Sequence, residues 1–369
     1  MNARPDIKFE QPPGISVRSQ SEGGHSLPGE VKFRRILVPL DFSSTSAKGL
    51  RYAAQLGTQF GGSIWLIYVQ DPISFLSGME GVVLAEPEDE SAKYALKLLG
   101  RLSRKALAPP RRGGTLVCIG QPVREIAEAA RSLAIDVVVM TTHGYTGFRK
   151  MIRTSLAERL VRDSTCPVLT INEAFSDDRH RNSGILPITN WKKILVPVDF
   201  TKSALNALRY AIALAGETNA RITLFHVVNM EPTHPHPVVI NLGDVQKEMR
   251  RLAEHNLDVL AQVEIPDSVE FEKSVQIGGT TSEAIVQTAR QLDSDLVVMG
   301  THHYSWWRNL SQADNAERVV RTAPCPVLSV PEKAHPPQSE STDAESNVLC
   351  LNTIPPPQTE MPHQPKNHS

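Results

Sequence analysis

Cysteine is scarce in this chain: four in 369 residues, at positions 118, 166, 325 and 350, with no CxxC pair. That scarcity argues against a disulfide scaffold and a cysteine-rich zinc site, and fits thiols kept reduced in a cytosol. An excess of one charge is also missing. The 39 Lys+Arg and 40 Asp+Glu leave a formal net charge of −1, so no general basic field awaits nucleic acid. No apolar run approaches the roughly 20 residues that span a bilayer. The first residues lack the apolar segment of a signal peptide. A cytoplasmic protein with no nucleic-acid and no membrane partner is expected. Also lacking are a Walker-type GxxxxGK[ST] run and a nucleophile–base pair in a recognisable context.

What the chain does contain is a duplication. Val138-Val139-Met140 recurs as Val297-Val298-Met299, and Cys166-Pro167-Val168-Leu169 as Cys325-Pro326-Val327-Leu328, both shifted by 159 residues. Ile36-Leu37-Val38-Pro39-Leu40-Asp41-Phe42 recurs as Ile194-Leu195-Val196-Pro197-Val198-Asp199-Phe200, shifted by 158. A near-constant offset means a repeated domain with about one residue inserted. The expected organisation is a disordered tail over 1–31, a domain over 32–172, a polar linker over 173–190, a second domain over 191–332 and a disordered Pro/Ser/Gln-rich tail over 333–369.

Within each repeat, short β-branched runs alternate with amphipathic helices. The first repeat reads as strands at 34–40, 63–69, 115–119, 137–140 and 168–171, with helices up to about 59, at 88–107, at 122–133 and before the last strand. The second repeat follows the same order, with its third strand at 269–276 and its last helix at 312–322. Strands without alternation suit a sheet buried on both faces, and the βαβ order implies parallel strands with helices on both sides. Ligands of such open sheets bind beyond the carboxyl ends of the strands, where the winding direction switches. The switch is expected between the first and fourth strands, so Asp41 and the stretch from Thr141 to Gly144 should face one crevice. Asp41 and Asp199 also read as caps of the first helix of each repeat.

The order of Val38-Pro39-Leu40-Asp41-Phe42-Ser43, a strand ending at Tyr68-Val69, then Thr142-His143-Gly144 and Cys166-Pro167-Val168-Leu169 resembles the universal stress protein family. The chain is similar to a tandem member. The resemblance implies α/β domains with doubly wound five-stranded parallel sheets of order 3-2-1-4-5, paired through their fifth strands as an internal pseudo-dimer. Some members bind ATP and others do not. Binding members carry Gly, two residues, Gly, nine residues, then Gly-Ser or Gly-Thr. On the first repeat those positions fall on Thr141, Gly144, Thr154 and Ser155, and on the second on Gly300, His303, Ala313 and Asp314. One glycine and the serine persist in the first. Bare glycine lets backbone N–H groups approach phosphate, and Asp314 would set a carboxylate against it. The resemblance therefore implies that ATP, with Mg2+, binds at Asp41, Val69 (through its backbone), Thr141, Gly144, Thr154 and Ser155, and not in the second repeat.

Other residues carry two readings each. Cys166 and Cys325, beside proline at a buried strand, read as packing rather than redox groups. His226, His234, His236, His302 and His303 cluster along the second repeat's crevice; imidazole is the commonest metal ligand, but no spacing motif favours a site over scattered histidines. Trp306-Trp307 reads as a contact with a neighbouring domain or partner. Overall the expected function is a non-enzymatic stress-response or signalling module, acting through an unidentified protein partner and regulated by adenine nucleotide in the first domain, with a homodimer compatible. The alternative is an ATP hydrolase or nucleotidyl-transfer enzyme of similar fold. No catalytic residue and no metal ligand is assigned.

Overall fold

A computed structural model describes residues 33–71, 88–142, 156–172, 191–229, 242–301, 314–332 and 350–351. The first domain runs β1 (Arg35–Pro39), α1 (Ser44–Phe60), β2 (Ser63–Gln70), α2 (Glu88–Ala106), β3 (Arg112–Ile119), α3 (Pro122–Ser132), β4 (Val137–Thr142), α4 (Leu156–Asp163) and β5 (Val168–Asn172). The second repeats the order with β6 (Lys193–Pro197), α5 (Lys202–Thr218), β7 (Arg221–Val228), α6 (Leu242–Glu264), β8 (Phe271–Ile277), α7 (Thr281–Gln291), β9 (Leu296–Thr301), α8 (Asp314–Thr322) and β10 (Val327–Pro331). A two-residue strand, β11 (Cys350–Leu351), follows.

Alternation along β1 shows why the sheet is covered on both faces. Ile36 and Val38 pack into one apolar layer with Leu50 and Leu56 of α1. Leu37, between them, points into the opposite layer with Val123 and Ile126 of α3. In β6, Ile194 and Val196 against Leu195 repeat the division. All six strand residues are fully buried. Each such aliphatic side chain contributes about 1.5–3 kcal/mol relative to exposure.

Within each domain the strands are parallel in the order 3-2-1-4-5. β5 and β10 then pair antiparallel, with Val168 opposite Ser329, Leu169 opposite Leu328 and Thr170 opposite Val327. The two sheets fuse into one of eleven strands. The Thr170 hydroxyl donates to the Val327 carbonyl at 3.2 Å across this seam. Both apolar layers continue through it, because Leu169 and Leu328 share one and Val168 and Val327 the other. Pairing the fifth strands removes two apolar edges that would otherwise template aggregation.

Several strand boundaries differ from the sequence reading; β4, for one, runs on to Thr142 rather than ending at Met140. β3 begins at Arg112 rather than near Thr115. Gly113 and Gly114 lie beneath the Trp65 indole, where a Cβ on either would come within 2.5 Å of the ring. In the second domain the third strand starts at Phe271 rather than Val269, because the Val269 amide closes a turn on the Pro266 carbonyl at 3.0 Å. The cysteines also need correcting. Cys166 and Cys325 are free thiols, but Cys118 is disulfide-bonded.

Candidate functional site

The carboxyl end of β1 makes the same turn in both repeats. Phe42 and Phe200 sit at φ of 60° and 61°, a left-handed conformation unusual for a bulky residue. The rings are held in place, Phe42 against Tyr68 with centroids 4.9 Å apart and Phe200 against His226 at 4.9 Å. No local feature of the sequence marks either residue for positive φ.

This turn settles the roles of the two aspartates. Asp41 does not cap α1. Ser43 is the N-cap, its hydroxyl accepting from the Ser46 amide at 3.1 Å, while Asp41 Oδ1 accepts from the Ser43 amide at 3.0 Å. In the second repeat Thr201 caps α5, accepting from the Ala204 amide, and Asp199 accepts from the Thr201 amide at 3.0 Å and its hydroxyl at 2.5 Å. Each aspartate therefore orders the cap from one step outside the helix. Burial raises the Asp41 pKa, but the hydroxyls of Ser43 and Ser46 and the Ser43 amide outweigh it and hold the pKa below its ordinary value.

Asp41, Val69 and Thr141 line one cavity of about 200 Å³ at the carboxyl ends of β1, β2 and β4, which Ser43, Ser46 and Met140 also border. Gly144, Thr154 and Ser155 lie outside the described residues. Thr141 is engaged, its hydroxyl donating to the Thr45 carbonyl at 3.1 Å.

The second repeat forms a cavity of about 310 Å³ that extends across the seam. Asp199, His226 and Gly300 border it from their own repeat, and Glu158 and Arg162 of α4 from the other. Gly300 replaces Thr141 at the corresponding position for a packing reason. A Cβ there would sit 2.4 Å from the Ser203 carbonyl carbon in the first turn of α5. His226 Nδ1 lies 2.6 Å from the Val198 carbonyl, so Nδ1 carries the proton in that contact. His234, His236, His302, His303 and Trp306-Trp307 lie outside the described residues. Among the described residues no group of three or more His, Cys, Asp or Glu side chains is arranged to hold a metal ion, and no helix is long and apolar enough to cross a membrane.

Cys325 is buried and Cys166 partly so. Burial pushes the Cys166 thiol up to about 11, and Cys325 is also raised, chiefly by burial. Neither is an activated nucleophile.

Two doubly wound domains with a crevice at each switch point define a tandem α/β protein. The chain belongs to the universal stress protein family, whose model matches residues 32–172 and 190–331. It is 29% identical over 148 residues to a universal stress protein of Methanocaldococcus jannaschii, covering 39% of this chain and 85% of that protein. It is 27% identical over 146 residues to the universal stress protein YxiE of Bacillus subtilis, covering 38% of this chain and 99% of that protein. A universal stress protein structure from Archaeoglobus fulgidus aligns with a TM-score of 0.54 at 19% identity, over 82% of this chain and 97% of that one, and shares the fold.

Proposed function

We propose that this protein is a non-enzymatic stress-response or signalling module, in which an adenine nucleotide bound at the first repeat's crevice regulates association with a protein partner. The observation carrying this reading is the difference in charge between the crevices. Among the described residues that line them, the first has one carboxylate, Asp41. The second has three, Asp199, Glu158 and Glu317, against one guanidinium, Arg162. A polyphosphate is repelled less by the first. Asp41 offers a carboxylate to ribose hydroxyls, and Val69, one residue before the end of β2, offers its backbone to adenine. Among the described residues no histidine, lysine or cysteine borders the first cavity, and an Asp41 pKa held low makes that carboxylate a weak proton acceptor.

Calorimetric titration of the full chain with ATP and Mg2+ tests the reading. Asp41→Ala should weaken binding at least tenfold, and Asp199→Ala should leave it unchanged. The reverse pattern would move the site to the second repeat. No heat at millimolar nucleotide would leave partner association as the only function. Release of inorganic phosphate by wild type but not Asp41→Ala would favour the hydrolase instead.

A further inference from the structure

The edge of the first domain is not left open. β11 pairs antiparallel with β3, placing Cys350 opposite Cys118 and Leu351 opposite Val117. Cys118 is disulfide-bonded, Cys166 and Cys325 are free thiols, and the chain has four cysteines. We propose that Cys118 and Cys350 form a reversible disulfide that locks the C-terminal segment onto β3 as a removable edge strand, closed by a low-molecular-weight disulfide and opened by its thiol.

The length of β11 makes the covalent bond decisive. Ladder hydrogen bonds from two residues do not offset the entropy lost in ordering them. Without the cross-link the strand leaves, and β3 becomes an unpaired edge able to accept another strand. Domain two supplies the contrast, since its outer strand, β8, has no such cover among the described residues. The lock also lies beside the first crevice. Val69, which borders that cavity, is the β2 partner of Cys118, and β11 enters from the carboxyl end of β3, on the crevice side.

Packing orders the chemistry. Cys118 lies in the apolar layer with Ile67 and Val123, so the tail thiol reacts first. The Cys350 thiolate attacks one sulfur of the small disulfide, forming a mixed disulfide and releasing one thiolate. The Cys118 thiolate then attacks the Cys350 sulfur, forming the internal bond and releasing the second. Two electrons pass to the small disulfide, and the two thiol protons go to the two released thiolates. Excess thiol reverses both steps.

The test uses the full chain equilibrated with glutathione disulfide, quenched with N-ethylmaleimide and digested with trypsin without reduction. A linked pair of peptides 113–124 and 334–366 is expected, lost on treatment with a phosphine reductant. Hydrogen exchange of the β3 amides should be at least tenfold slower in the oxidised wild type than in Cys350→Ser under the same conditions. Alkylated Cys118 in the oxidised sample, a link between peptides 113–124 of two copies, or equal exchange in Cys350→Ser would each overturn the proposal.

Discussion

Glu158 of α4 lies 3.1 Å from the Arg321 guanidinium of α8, across the seam between the two repeats. The contact is an ion pair rather than a hydrogen bond, since the Arg321 Nε–H finds no acceptor along its direction. The pair is unequal: the Glu158 side chain is 6% exposed and that of Arg321 38%. Arg321→Ala removes a counter-charge from a buried carboxylate and should cost about 2 kcal/mol, less than for a fully buried pair because the arginine is partly solvated. Glu158→Ala lets Arg321 return to water and should cost about 1 kcal/mol. Urea unfolding of both variants checks that order.

The β5–β10 seam should be the most sensitive stretch of the sheet. Leu169 and Leu328 face each other, 0% and 1% exposed. Leu169→Asp places an unpaired charge there and should cost more than about 3 kcal/mol. Loss of the folded full chain on size exclusion, or a sharply lowered melting temperature, is the expected result. A well-folded variant of unchanged stability would argue against the seam.

Gly300 and Thr141 occupy equivalent places and should be sensitive to substitution for different reasons. Gly300→Ala drives a Cβ against the Ser203 backbone and should destabilise by about 1–3 kcal/mol. Thr141→Gly loses one hydrogen bond to Thr45 and should cost about 1 kcal/mol. Denaturant midpoints for the two variants separate steric from polar roles.

Acid should weaken the β1–α1 turn through Asp41. Its folded pKa is lowered, so its stabilisation is complete above the ordinary carboxylate value of 3.8 and is lost as pH falls through the folded value. Asp41→Asn removes that dependence. The melting-temperature gap between wild type and variant should therefore be widest near neutrality and close at acid pH.

Free thiols should be silent in the native protein. With the Cys166 pKa pushed up to about 11, roughly one molecule in a thousand carries the thiolate at pH 8. Iodoacetamide should label neither Cys166 nor Cys325 before unfolding and both after it, as intact mass reports.

Much of the architecture follows from the chain alone. The apolar runs at Ile36–Val38, Val138–Met140 and Val168–Leu169, their recurrence in the second repeat, and the helical periods between them determine the parallel sheet and its duplication, because periodicity is a local property set over some ten residues. Asp41 and Thr141 at strand ends could be placed in a crevice for the same reason. Tertiary structure alone decided the rest. Ser43 rather than Asp41 caps α1 because of a left-handed Phe42 that Tyr68 holds in place. The second crevice borrows Glu158 and Arg162 from the other repeat. Gly300 is required by Ser203, and β11 adds a strand more than two hundred residues after its partner in the chain. Each of these depends on groups in different elements that meet only when the chain folds, and no pattern within a single element encodes such a meeting.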